Sequence, residues 1–269
     1  MKLEFVIETK STIKEFICKN ISRNFYGYLK EREAQYLINT FCSKPHDELN
    51  HGDILIIMYE EEKNQDSVMN SNSIDIVYED EHYLVVDKPA HLQSIPSRRN
   101  PLDSVFNRLL YYFKDSYNTV HLVNRLDKET KGLVLIAKSN YATAILKEFR
   151  KKYIAITDKK MSLNSGLIDL PIAKVENSIK REINDNGQQA ITLYNLINEE
   201  DGIYTYEIEL KTGRTHQIRL HFSYLGSPLL NDTLYGGTLT ESKELGLICR
   251  QIEFYNPILK EKIIVNSKY

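Results

Sequence analysis

The chain has 269 residues, 42% of them hydrophobic and 27% charged, enough to bury one sizeable core beside a small appended domain. Its net charge of -2 means that any polyanionic partner has to meet a local basic patch, because the overall balance offers it nothing. No uncharged apolar run approaches the roughly 20 residues that cross a bilayer, and the alternating Met1-Lys2-Leu3-Glu4-Phe5 start lacks the apolar stretch of a signal peptide, so no membrane span and a cytoplasmic location are expected.

From Glu60 to Ser73 the chain is polar, charged and without apolar periodicity, which predicts a linker between a domain over 1–65 and a larger one over 74–269. Up to Asp66 there are nine Lys plus Arg against twelve Asp plus Glu, and the remainder sits near +1, so positive surface is expected on the larger part. Tyr83 to Asp87 is a short apolar run closed by Lys88-Pro89, the pattern of a buried strand. Asn100 followed by Pro101 predicts a helix start, with Leu102, Val105, Phe106, Leu109, Leu110 and Phe113 on its apolar face. Val120 to Val123 and Leu133 to Ala137 read as strands with a polar loop between them. Ser139 or Asn140 is expected to cap a helix through Lys151, with strand returning from Tyr153 to Thr157. Ile191 to Ile197 and Ile203 to Lys211 are strands of β-branched and aromatic residues. Thr215 is expected to cap a short helix carrying Ile218, Phe222 and Leu225, ended by Gly226 and Pro228. The elements add up to a mixed α and β chain with several antiparallel strands and no internal repeat.

Three stretches can carry chemistry. The loop Asn124-Arg125-Leu126-Asp127-Lys128-Glu129-Thr130-Lys131-Gly132 holds a carboxylate two residues from a guanidinium between two apolar strands; the nearby cation favours an ionised Asp127, although such a sequence is also an ordinary surface turn. Lys211 to His221 puts Gly, Arg and a helix start together, which suits phosphate. Its histidines, His216 and His221, are five apart rather than the four that share a helical face, so no metal site is expected. Cys18, Cys42 and Cys249 form no C-x-x-C pair and are expected as reduced thiols. Tyr153 follows Arg150-Lys151-Lys152, a placement that suits stacking on an extruded base, and equally a half-buried strand aromatic.

His121-Leu122-Val123-Asn124-Arg125-Leu126-Asp127-Lys128-Glu129-Thr130-Lys131-Gly132-Leu133-Val134-Leu135-Ile136-Ala137-Lys138 resembles the HRLD-x-x-TSG-L-x-L-x-AK signature of RluA-like RNA pseudouridine synthases. Lys152-Tyr153-Ile154-Ala155 is similar to that family's K-x-Y-x-A motif, and Thr212 to His221 to its TGRTHQIRVH motif. Ile76 to Pro89, Gly226-Ser227-Pro228, Asn231-Asp232 and Tyr235-Gly236 extend the similarity over roughly 74–260. Asn124 stands where the family has His, and Lys131 where it has Ser. Residues 11–58 resemble, more faintly, an S4 RNA-binding domain, with a helix from Thr12 to Asn20, a turn at Ile21-Ser22-Arg23 and a closing strand near Leu55, but without its basic character.

The resemblance implies an α+β fold, a mixed, mostly antiparallel sheet with flanking helices, preceded by a small α/β S4-like domain. It implies isomerisation of uridine to pseudouridine in ribosomal or transfer RNA, with no cofactor and no metal, by a protein expected as a monomer. Asp127 is then the essential carboxylate, Arg219 its ion-pair partner, and Tyr153 the residue that stacks on uracil or relays a proton. Arg125 is expected to fill the gap left by the flipped uridine, and Thr130, Lys138, Lys152, Arg214, His216 and Gln217 to contact RNA. Two other readings stay open at this point: RNA binding without catalysis, and an N-glycosidic hydrolase that releases uracil.

Overall fold

The computed structural model describes residues 1–61, 67–116 and 119–269; residues 62–66 of the expected linker lie outside the described residues. The amino-terminal part runs β1 (Lys2–Val6), β2 (Ser11–Thr12), α1 (Ile13–Asn20), α2 (Arg23–Glu31), β3 (Gln35–Ile38), β4 (Phe41–Ser43), β5 (Glu48–Leu49) and β6 (Ile54–Met58). Local chemistry sets both helix starts. Thr12 and Glu15 form a reciprocal capping box on α1, and the Ser22 hydroxyl accepts the Phe25 N–H on α2. Four strands pair in the order β1-β6-β3-β4, and Ile13, Ile17, Phe25, Leu29, Leu55 and Ile57 fill the core beneath them.

The larger part continues with β7 (Ile76–Glu79), β8 (Tyr83–Lys88), α3 (Val105–Tyr112), β9 (His121–Leu122), β10 (Lys131–Ala137), α4 (Asn140–Ile145), β11 (Lys147–Thr157), β12 (Ser165–Asp169), β13 (Ile172–Lys174), β14 (Arg181–Ile183), β15 (Ile191–Glu200), β16 (Ile203–Leu210), α5 (Gln217–Tyr224), β17 (Leu247–Asn256) and β18 (Glu261–Asn266). Its main sheet follows β12-β15-β16-β11-β17-β10-β8-β7, with β18 added on β17 and β9 on β10. Among the described residues, β10 with β17 is its one parallel pairing. The α+β architecture and mostly antiparallel sheet are therefore as expected. The interior strands β8 and β10 are buried almost end to end, as the apolar runs Tyr83 to Val86 and Leu133 to Ala137 require. α4 also closes the amino-terminal core: Ile145 is buried in it, and Glu61 accepts from Tyr28, Tyr59 and Asn140.

Three helix boundaries differ from expectation. α3 starts at Val105, capped by Ser104 rather than Asn100, because Asn100 is turned back on Ser97 and Leu102 is 58% exposed; burial begins only at Val105. α4 ends at Ile145 rather than Lys151, since Lys147 onward pairs with β17 and the chain is claimed by the sheet. α5 begins at Gln217 after His216 in the left-handed region (φ 57°), and the Thr215 side chain makes no cap.

Candidate active site

The loop between β9 and β10, the strand β11 and the turn leading into α5 meet at one cleft, lined among others by Arg125, Asp127, Thr130, Tyr153, Arg214 and Arg219. The loop is tied down from beneath. Asn124 is buried, donates Nδ2 to the Leu133 carbonyl (3.2 Å) and accepts the Leu135 N–H on Oδ1 (2.8 Å), so the departure to Asn serves as a strap onto β10. The Ser94 hydroxyl both donates to the Leu126 carbonyl (2.8 Å) and accepts its N–H (2.9 Å). Lys88 Nζ donates to the carbonyls of Pro89, Leu92 and Lys128, and burial pulls this amine down to about 7 against the opposing pull of Asp127 and Glu129.

Gly132 lets the loop enter β10 beside β17. Its φ is +110°, and a side-chain carbon there would sit 2.3 Å from the Cys249 carbonyl oxygen, so no other residue fits. Lys131, the second departure, turns to Glu244 (2.6 Å) and the Tyr269 ring and is not among the cleft residues.

The Thr130 N–H closes a turn on the Asp127 carbonyl (3.1 Å), which holds the Asp127 backbone while its carboxylate faces the cleft, 29% exposed. Among the described residues that carboxylate has no hydrogen-bond partner. Its ion-pair contact is Arg219 Nη1 at 3.7 Å, not the neighbouring Arg125, and His216 Nε2 lies at 3.8 Å. Arg219 is itself gripped by Asp232, Nε to Oδ2 and Nη2 to Oδ1, both at 2.7 Å. Burial works against its charge, but the bonds and charge of Asp232, with Asp127 behind, outweigh that and hold the guanidinium above its ordinary value.

His216 Nδ1 lies 3.0 Å from the Tyr235 hydroxyl, which already accepts the Arg181 backbone N–H (2.9 Å). Tyr235 then donates its proton to Nδ1, and the imidazole proton falls on Nε2, facing Asp127; the other tautomer would aim a lone pair at a carboxylate. Burial lowers the His216 pKa, and Arg219 and Arg181 add to this against the pull of Asp127, so the ring is neutral. Tyr153 is brought in by a register shift: Lys152 pairs with Gln251 but Tyr153 with Cys249, leaving Arg250 as the extra residue. Burial, then Cys249 and Asp127, push its phenol well above the ordinary value, so it stays neutral.

The other expected residues divide. Thr130 lines the cleft with its hydroxyl buried and unpaired among the described residues, available to a ligand. Gln217 is consumed by structure: its amide accepts from Thr212 and the Arg214 N–H and donates to Ile191 and Thr192. Lys138 is buried against Glu79 and the Asp80 carbonyl, and Lys152 pairs with Glu207 at 3.1 Å; neither lines the cleft. His221 is bonded to Thr192 and Leu170, and no cluster able to hold a metal occurs among the described residues.

The model of the RNA pseudouridylate synthase family matches residues 82–224, which span the loop of Asp127, Tyr153 and the turn of His216. The uncharacterised RNA pseudouridine synthase YjbO of Bacillus subtilis is 38% identical over 225 residues, covering 80% of each chain. The chain belongs to the RNA pseudouridylate synthase family. It is an RNA pseudouridine synthase, an isomerase of the RluA-like kind that its motifs resemble. Ribosomal large subunit pseudouridine synthase D of Pseudomonas aeruginosa is 33% identical over 78% of this chain and 68% of its own. Human RNA pseudouridylate synthase domain containing 1 shares the fold, with a TM-score of 0.60 and 19% identity over 74% of this chain and 85% of that one.

Within this synthase, sequence reasoning assigned no role to Lys88, Ser94, Asp232 or Tyr235. Asp232 and Tyr235 stand in the Asn231-Asp232 and Tyr235-Gly236 words that carry the resemblance, so a signal existed; Ser94 offered none.

Proposed function

We propose that this synthase isomerises uridine in large-subunit ribosomal RNA, with the Asp127 carboxylate as the acting group and without a cofactor. The RNA class is taken from relatives named ribosomal large subunit pseudouridine synthase D, in Pseudomonas aeruginosa and Xanthomonas campestris, the latter 30% identical over 88% of this chain; transfer RNA is the other class the motifs allow. One observation carries the assignment of Asp127: its carboxylate faces the cleft without a hydrogen-bond partner among the described residues, 3.7 Å from a guanidinium that Asp232 immobilises.

The reaction breaks the C1′–N1 bond, turns the uracil and forms C1′–C5, with the proton lost from C5 balanced by one gained at N1. Atoms and oxidation level are conserved, so no redox partner is required. A negative oxygen at position 127 adds to the ribose or the base, or stabilises positive charge growing on the sugar. A neutral Tyr153 suits both of its expected roles, stacking on uracil and relaying a proton. Arg125 lines the cleft, is exposed and has no carboxylate within 4 Å among the described residues, so it is free to occupy the gap in the RNA stack, where extrusion costs a few kcal/mol.

The test is Asp127→Asn, isosteric and uncharged, assayed on unmodified large-subunit ribosomal RNA by carbodiimide labelling of pseudouridine. Conversion is expected to fall to background while RNA binding persists. Conversion at the wild-type rate would remove Asp127 from the chemistry.

A further inference from the structure

Beside the cleft lies a second concavity of about 440 Å³, between the β13–β14 hairpin and the turn Gly213 to Thr215. Arg214 lines both, so the two spaces adjoin each other. Three cations face the second one, Lys174, Arg181 and Arg214, and no carboxylate does.

Two features of this groove have no explanation in folding. Lys174 and Arg181 are directly opposite in the β13–β14 register, a like-charge cross-strand pair that weakens the hairpin carrying it. Among the described residues, none of the three cations has a carboxylate within 4 Å; Arg181 and Arg214 donate their side chains only to the carbonyls of Lys180 and Gln189. Gly213 is the second feature. Its φ is not positive and a side-chain carbon there would meet nothing within 4 Å, so neither conformation nor packing asks for glycine. What glycine provides is a bare backbone on the groove wall, the surface that a phosphate approaches closely.

We propose that this groove binds a phosphodiester of the RNA strand next to the uridine that enters the cleft, held by Lys174, Arg181 and Arg214; this rests on the reading of the Asp127 cleft as the uridine site. An anion between Lys174 and Arg181 turns their mutual repulsion into a paired clamp. Because Arg214 borders both spaces, the bound phosphate is a neighbour of the extruded nucleotide, and the groove sets which residue along the strand reaches Asp127.

The experiment measures binding of unmodified large-subunit ribosomal RNA across a salt series for wild type, Lys174→Ala/Arg181→Ala, Lys174→Arg/Arg181→Lys and Lys260→Ala. Lys260 lies in the β17–β18 turn, which leaves β17 at Asn256, seven residues or roughly 23 Å along the strand from the Cys249 that pairs with Tyr153. The alanine pair is expected to weaken binding roughly tenfold and to flatten the slope of log K against log salt by about 0.7–0.9, as loss of one neutralised phosphate requires. The charge-conserving pair and Lys260→Ala should keep the wild-type slope. An unchanged slope in the alanine pair, or an equal change in Lys260→Ala, overturns the proposal. So does inorganic phosphate binding that depends on Lys174 and Arg181 while the RNA slope stays fixed, because the groove then serves a free anion. Conversion by Asp127→Asn on the same RNA is read separately: if it persists, the uridine-site reading fails whatever the salt slopes show.

Discussion

Asp232→Asn tests the electrostatic framework of the site most sharply. Asp232 is buried and meets Arg219 at two 2.7 Å bonds, while its Oδ1 also accepts the Leu234 and Tyr235 backbone N–H groups at 3.2 Å. Asn keeps Oδ1 and those backbone donors, so local folding survives, but it sets an NH2 against Arg219 Nε–H and removes the negative charge. A buried pair broken on one side costs about 3–5 kcal/mol. For a chain of this size that corresponds to a melting point lower by roughly 6–20 °C. Arg219 is then left with Asp127 as its only anion within 4 Å among the described residues, and closes the 3.7 Å gap onto the carboxylate meant for substrate. Thermal unfolding followed by circular dichroism reads the first effect, and the rate of pseudouridine formation well below the melting point reads the second. Adding Arg219→Met to Asp232→Asn should recover part of the lost stability, since no unpaired charge is then buried. A melting point within about 2 °C of wild type for Asp232→Asn would refute the reasoning.

Gly132→Ala places a carbon 2.3 Å from the Cys249 carbonyl at a φ of +110°, so a loss of roughly 3 kcal/mol or more is expected in urea unfolding, with the β10–β17 junction opening. Tyr235→Phe removes the hydroxyl that accepts from Arg181 and orients His216; about 1–3 kcal/mol of stability should go, and kcat should fall more than KM rises if the imidazole tautomer matters to Asp127. Burial lowers the pKa of both His216 and His221 below 6.5, so between the lowered values and 6.5 the unfolded chain binds protons that the native one does not. Stability is therefore full above pH 6.5 and declines as the pH drops below it, by up to about 1.4 kcal/mol per unit for each ring; His221→Asn should flatten that acid limb in denaturant titrations, and an unaltered limb would contradict it.

Order and spacing of motifs, together with strand and cap chemistry acting over a few residues, made much of this protein readable in advance. The buried runs at Tyr83 and Leu133, the capping residue Ser139, the stop at Gly226 and the functional words around Asp127, Tyr153 and Arg219 all belong to that class, because their determinants are neighbours in the chain. The path from Lys147 to Lys151 was misread as helix: its local preference is outweighed by pairing with β17, about a hundred residues later. Tertiary structure alone decided that Arg219 is shared between Asp232 and Asp127, that Lys131 turns to Glu244, 113 residues away, and that Lys138 is buried against Glu79. Charge partners across such separations are selected by folded geometry and desolvation, neither of which a linear pattern contains.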